Sequence, residues 1–243
     1  MKWDLRPARD VEMSPLARLR SHHREVGLAG LILQGIWRRV LRLYLRLYHR
    51  LEVTGRDNLP PPPFVMIANH SSHLDALTLA ASLRGRASRR AFALAAGDTF
   101  FTTLRGSAFA AYAVNAMPIW RRKTSAGDLA FLRARLAEDG LVYILFPEGT
   151  RSRNGEMGRF LPGIGAMVAG ATVPVVPCHL DGAFAAWPAG ARGPWPGKLR
   201  LRIGAPLRFE EVANDKAGWM QVAAACEAAV KGLADHRRPG ACP

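Results

Sequence analysis

The stretch FVMIANHSSHLDALTLAASL, residues 64–83, changes secondary-structure character part-way along its length. Phe64–Ala68 is an unbroken apolar run, the length and character of a strand buried on both faces. Leu74–Leu83 reads as a helix. A polar turn, Asn69-His70-Ser71-Ser72-His73, joins them. Four consecutive prolines, Pro60–Pro63, precede the strand and bound it, because proline cannot enter a sheet or helix interior. A second apolar run, Leu141–Phe146, leads into another polar turn, Pro147-Glu148-Gly149-Thr150-Arg151-Ser152.

Outward from these two units the same alternation continues. Leu51–Thr54, Ala91–Ala95, Met117–Trp120, Val173–Cys178 and Lys198–Ile203 read as strands. Asp98–Ala113, Ala126–Glu138 (with Gly140 at the C-cap position) and Asp215–Asp235 read as helices. Arg84–Arg90 reads as a basic connection, and Asp181–Gly197, rich in Gly, Pro and Trp, as a long loop. Strands alternating with helices predict an α/β fold, with a mainly parallel central sheet flanked by helices. Ligands of such sheets bind beyond the C-terminal ends of the strands, which is where both polar turns fall.

Ser14-Pro15 reads as a helix start. Between there and Arg50 lies the clearest periodicity of the chain. At 100° per residue Val40, Leu41, Tyr44, Leu45, Tyr48 and Leu51 gather on the side of Trp37, with Leu43 and Leu47 at one edge. Arg38, Arg39, Arg42, Arg46, His49 and Arg50 occupy the opposite arc, and no acidic residue stands between Glu25 and Glu52. Such a helix packs its apolar face on the core, lies in a headgroup layer with its arginines at lipid phosphates, or does each in a different part of a helix pair. The chain accordingly divides into an amphipathic, membrane-docking segment at 1–50 and a domain at 51–243.

Composition narrows the class. The 243 residues carry 34 Lys and Arg against 19 Asp and Glu, a net charge of +15; 29 of those 34 bases are arginine. That balance favours an anionic partner: a phosphorylated ligand, an acidic protein, an anionic membrane or nucleic acid. No recognised nucleic-acid motif accompanies it, so nucleic acid is not the expected partner. The longest uncharged stretch near the N-terminus, Val26–Trp37, is too short to span a bilayer, which needs about 20 residues. Cys178, Cys226 and Cys242 form no metal or disulfide pattern, and the first residues hold no secretory signal. A reducing compartment follows as the expectation.

His70 and Asp75 can meet if the histidine lies in the turn and the aspartate in the first helical turn. A carboxylate on one imidazole nitrogen fixes the tautomer and leaves the other free to take a proton. His73 competes for that role, and spacing does not exclude it. In the second turn Gly149 permits unusual dihedrals, Thr150 offers a hydroxyl, and Arg151 a fork for phosphate. Glu148 suits phosphate poorly; it orients an arginine or receives a substrate hydroxyl. Each turn alone also reads as an ordinary capped or solvated turn. His22-His23 reads as a solvated pair rather than a metal site. Trp187 and Trp195 line an acyl groove or pack their loop, and the basic run at 84–90 is solvated or meets coenzyme A phosphates or an acidic carrier protein.

Taken together, His-x-x-x-x-Asp at 70–75 and Phe-Pro-Glu-Gly-Thr-Arg-Ser at 146–152 resemble the glycerophospholipid acyltransferase family, best known for its 1-acyl-sn-glycerol-3-phosphate acyltransferases. Ala116-Met117-Pro118-Ile119-Trp120-Arg121 and Val173-Pro174-Val175-Val176-Pro177 look like two further blocks of it, and the likeness covers roughly residues 50–205. The resemblance implies transfer of a fatty acyl group from acyl-CoA or acyl carrier protein to a lysophospholipid hydroxyl. His70 would be the base and Asp75 its orienting partner. Glu148, Gly149, Thr150 and Arg151 would form the glycerol-phosphate site, with Arg121 as second phosphate ligand. No metal or resident cofactor is implied; the acyl thioester is a co-substrate. The expected location is the cytoplasmic face of a membrane, peripheral or monotopic. Two departures bear on the acceptor: Ala95–Phe101 lacks the family's frequent Lys and Glu-Leu, and Trp120 replaces a frequent acidic residue. Lysophosphatidate, another lysolipid and a non-glycerol acceptor therefore all remain, as does a lipid-binding module without activity.

Overall fold

The computed structural model describes residues 28–96, 115–119 and 126–235, with residues 13, 14 and 17 besides. The helix expected at Asp98–Ala113 lies outside them, as do His22, His23, Trp120, Arg121 and Cys242. Ser14 Oγ accepts the Ala17 N–H at 3.3 Å, the contact of a helix N-cap.

In chain order the elements are α1 (Leu28–Leu47), β1 (Glu52–Thr54), a 3₁₀ turn (Arg56–Asn58), β2 (Phe64–Ala68), α2 (Leu74–Ser82), α3 (Gly85–Arg89), β3 (Ala91–Ala96), β4 (Met117–Ile119), α4 (Ala126–Glu138), β5 (Val142–Leu145), α5 (Gly163–Val168), β6 (Val175–Asp181), α6 (Ala183–Ala186), β7 (Arg200–Ile203) and α7 (Lys216–Asp235). Among the described residues the strands form one sheet in the order β1-β7-β6-β2-β5-β3-β4. β6, β2, β5, β3 and β4 run parallel, whereas β7 pairs antiparallel with β6 and carries β1 with it in the reversed direction.

β2 is central, and all five of its side chains are buried. Its alternate residues feed two cores, as the period of a strand requires. Phe64, Met66 and Ala68 pack with Leu74 and Leu79 of α2 and with Leu41 and Leu45 of α1. Val65 and Ile67 pack on the other face with Leu132 and Leu136 of α4, Ile164 of α5 and Val222 and Cys226 of α7. The expected mainly parallel, helix-flanked sheet is therefore the observed one.

Three segments differ from expectation. The basic connection at 84–90 contains a helix, α3, because Arg42 ties it down: its guanidinium donates to Leu83 O at 2.7 Å and Ser88 Oγ at 3.1 Å. The long loop at 181–197 opens with the short helix α6, entered through Gly182 at φ 83, where a Cβ would lie 2.1 Å from Lys198 O. α5 has no counterpart among the expected elements; it forms where the chain packs on α7.

Helix α1 has one buried and one exposed apolar face. Leu41 (3% exposed) and Leu45 (0%) are part of the same core as the sheet, so the helix's C-terminal half is integral to the domain rather than an appended module. Ile36, Val40, Leu43 and Leu47, at three- and four-residue spacing, are exposed. Arg42 also ties α1 to the domain, donating to Ala81 O at 3.0 Å. Among the described residues no helix is long and apolar enough to cross a membrane.

The α5–α7 contact depends on glycine. A Cβ at Gly165 would stand 2.3 Å from Trp219 Cα and 2.4 Å from Trp219 O, backbone that cannot rotate away. Gly165→Ala is expected to cost about 1–3 kcal/mol through overpacking. Thermal unfolding should show a melting point lowered by several degrees; an unchanged one would contradict this packing.

Candidate active site

Strand register brings the two polar turns together. Ile67 of β2 pairs with Leu145 of β5, so residues three beyond each, His70 and Glu148, emerge side by side at the strands' C-terminal ends. The His70 N–H donates to Glu148 Oε1 at 2.6 Å, and the Ser152 N–H donates to His70 O at 2.8 Å. The same separation of 78 residues places Arg151 against His73. On the other flank Asn69 holds β6, donating to Leu180 O at 3.0 Å and accepting the Leu180 N–H at 2.8 Å.

Within the first turn Asp75 is fully buried in the first turn of α2. Its Oδ2 accepts three donors: Ser71 N–H at 2.7 Å, Ser72 N–H at 2.8 Å and the Nδ1–H of His70 at 2.8 Å. The helix dipole adds to the stabilisation of this carboxylate. With Nδ1 committed as donor, Nε2 is the basic atom of the neutral His70 ring. The ring stacks on Phe146, centroids 4.1 Å apart, and keeps 18% of its side chain exposed. It is thus oriented from two sides and reachable from solvent.

The two histidines have different partners. Among the described residues no carboxylate hydrogen-bonds His73. Arg151 Nη1 lies 2.5 Å from His73 Nε2 and donates to the imidazole, whose other neighbour is Trp187, centroids 4.9 Å apart. Burial pushes the His73 pKa down, and Arg151 and then His70 push it further. A neutral His73 suits accepting the arginine's N–H.

Glu148 orients no arginine among the described residues; it accepts the His70 N–H on Oε1 and the Gly158 N–H on Oε2 at 2.8 Å. Burial raises its pKa, partly offset by those two amides. Glu148 therefore braces the His70 turn to the loop beyond Arg151, and each amide left unpaired in its absence would cost about 1–3 kcal/mol. Gly149, at φ 71, supplies the left-handed turn that lets the chain reach Arg151. Thr150 is exposed at the rim, and Arg151 is half-buried. Arg121, assigned as the second phosphate ligand, lies outside the described residues.

Sequence reasoning missed Asn69 and the tie between Ser72 and the loop after β6. Ser72 Oγ donates to Trp187 O at 2.7 Å, and Trp187 Nε1 donates to Ala191 O at 3.1 Å. Trp187 therefore packs its loop against His73, whereas Trp195 is exposed. Asn69 directly precedes the motif histidine at a strand end, and that position was the signal available.

The sequence pattern of the acyltransferase family matches residues 50–181. The chain belongs to that family. It is 27% identical to a 1-acyl-sn-glycerol-3-phosphate acyltransferase of Pseudomonas aeruginosa over 66% of this chain and 60% of the relative. To the human 1-acyl-sn-glycerol-3-phosphate acyltransferase alpha it is 29% identical, over 73% of this chain and 62% of the relative. The chain thus spans about three fifths of the length of these curated relatives. The crystal structure of the 1-acyl-sn-glycerophosphate acyltransferase PlsC from Thermotoga maritima shares the fold, with a TM-score of 0.62 at 22% identity, covering 87% of this chain and 81% of that one.

The pairing of His73 with Arg151 has a consequence for pH. With a folded-state pKa below the ordinary 6.5, the unfolded chain takes up this proton first as pH falls. The contribution to stability is complete above the ordinary value and is lost on acidification through the depressed one. His73→Gln keeps a neutral acceptor, so urea unfolding of that variant should show a shallower loss of stability between neutral and mildly acid pH. An identical pH slope would contradict a neutral pairing.

Proposed function

We propose that this protein transfers a fatty acyl group from an acyl thioester, acyl-CoA or acyl carrier protein, to the hydroxyl of a lysophospholipid in phospholipid synthesis. The preferred acceptor in this reading is 1-acyl-glycerol-3-phosphate. The observation that carries it is the carboxylate-held imidazole of His70 beside the arginine-bearing turn of the neighbouring strand. The family membership and the names of the relatives support the same reaction class.

His70 Nε2 takes the proton of the acceptor hydroxyl as its oxygen attacks the thioester carbonyl carbon. Asp75 stabilises the imidazolium that results. The tetrahedral intermediate collapses with cleavage of the carbon–sulfur bond, and the departing thiolate takes the proton from Nε2. The ester is formed, the thiol is released, and His70 returns to its starting state. No covalent acyl-enzyme is needed, and no metal or resident cofactor enters the scheme. Arg151, fixed by His73, offers its remaining donors to the acceptor's phosphate, and Gly149 and Thr150 shape the same rim. The exposed stripe of α1, flanked by arginines, would seat the enzyme on an anionic bilayer at the cytoplasmic face, where both substrates are held.

Acyl transfer assayed with mixed acyl thioesters and a panel of lysolipids, read by mass spectrometry, tests the reading. His70→Ala is expected to lower kcat by about 10² or more; transfer at the native rate would overturn the base assignment. Arg151→Ala should chiefly raise KM for acceptors bearing a phosphate, by about tenfold or more. An unchanged KM for lysophosphatidate would remove Arg151 from the acceptor site.

A further inference from the structure

Four arginines meet in a cleft that the proposed reaction does not use. Arg42 and Arg46 of α1, Arg56 of the 3₁₀ turn and Arg84 beyond α2 line a space of about 360 Å³, with Leu43 and Val53 as apolar wall. Among the described residues none of the four forms an ion pair with a carboxylate. Arg42 is held by backbone carbonyls, which do not cancel its charge. Arg56 Nε is buried without a hydrogen-bond partner. Burial lowers the pKa of Arg42 and of Arg56, and repulsion from Arg84 lowers both further. Like charges gathered without a counter-charge destabilise one another, and a bound anion relieves that repulsion. Guanidinium forks match phosphate oxygens in particular.

The cleft is separate from the candidate active site. Arg42 grips carbonyls at the C-terminal end of α2, and Asp75 stands in that helix's first turn. At 1.5 Å per residue the helix sets those carbonyls about 9–12 Å along its axis from Asp75. The surroundings indicate where the anion comes from. Leu43, at the cleft's rim, is 58% exposed and continues into the exposed stripe of Ile36, Val40 and Leu47 on the same helix. Phosphate-binding arginines beside an uncovered apolar stripe match the layering of a bilayer, in which headgroup phosphates lie just outside the acyl chains.

We propose that this cleft binds the phosphate headgroup of an anionic phospholipid of the bilayer itself, a lipid that is not the reacting acceptor, and so fixes how α1 sits on the surface. The inference rests on the bilayer docking in the proposed function. Its test uses the full chain, with co-sedimentation on phosphatidylcholine vesicles with and without phosphatidic acid. Arg46→Gln combined with Arg84→Gln removes two cleft charges and spares Arg42, whose contacts hold α2 and α3. The control pair, Arg159→Gln with Arg208→Gln, removes two exposed arginines flanking Phe160 and Phe209, which belong to the core on the other sheet face. Melting temperatures verify that each variant folds.

The cleft pair is expected to weaken binding to the phosphatidic-acid vesicles by about tenfold or more, and the control pair by less than about twofold. Equal losses in the two pairs, or no loss in the cleft pair, would overturn the cleft as a site while leaving bilayer docking intact. Failure of the unaltered protein to bind anionic vesicles would overturn both. Soluble adenosine 3′,5′-bisphosphate, the phosphorylated end of coenzyme A, serves as competitor. Displacement from vesicles by it that depends on Arg46 and Arg84 would assign the cleft to the thioester donor and overturn the lipid assignment.

Discussion

Asp75 Oδ2 accepts hydrogen bonds from two backbone amides and one imidazole, and the aspartate is fully buried. A carboxylate removed from water is costly unless its hydrogen bonds are replaced; here three donors on Oδ2 and the start of α2 offset part of that cost, while Oδ1 is buried without a partner. The arrangement couples local folding to chemistry. The amides of Ser71 and Ser72 can converge on one oxygen only if the chain turns sharply after β2 and enters α2. Once it does, the His70 ring supplies the third donor. The turn that caps the helix and the pair that would do the chemistry are therefore one structure.

Neighbouring strands extend this order across the site. Because β2 and β5 are parallel and in register, residues separated by 78 positions meet twice, as His70 with Glu148 and as His73 with Arg151. Glu148 contributes a brace between backbones and His73 a neutral support for a cation. Neither touches the imidazole nitrogen that would take the proton, yet both determine where the surrounding groups stand. In this account the site is a pair of strand ends, each stabilising the other's loop, with Asn69 fastening the first of them to β6.

Much of this was legible in the sequence. Phe64–Ala68 and Ala126–Glu138 have the observed bounds, because unbroken apolar character and a C-terminal glycine are local signals. The His70–Asp75 contact was legible too, since it lies within one turn of chain. The role of Glu148 was not, because its partners are backbone amides of residues 70 and 158, which no side-chain pattern reveals. α5, with two glycines in Gly163–Val168, carries no helical period of its own and takes its form from α7. Helix α1 was read as having one apolar face with two possible uses, but it has two apolar faces. Leu41 and Leu45 point to the core, whereas Leu43 and Leu47 point outward. Periodicity locates apolar residues around a helix without revealing which neighbour covers them. Nor could it show that Arg42 is spent on the carbonyls of α2.

The central claim is that Asp75 holds the neutral His70 ring with its proton on Nδ1 and a lone pair on Nε2. Nitrogen NMR of protein labelled at the histidine side chains, with the His70 signal assigned by its loss in a His70 variant, measures this directly. A protonated Nδ1 and an unprotonated Nε2 in the neutral ring, changing to a tautomer mixture in Asp75→Asn, is the predicted result. A neutral ring protonated at Nε2, or a mixture already present in the unaltered protein, would contradict it.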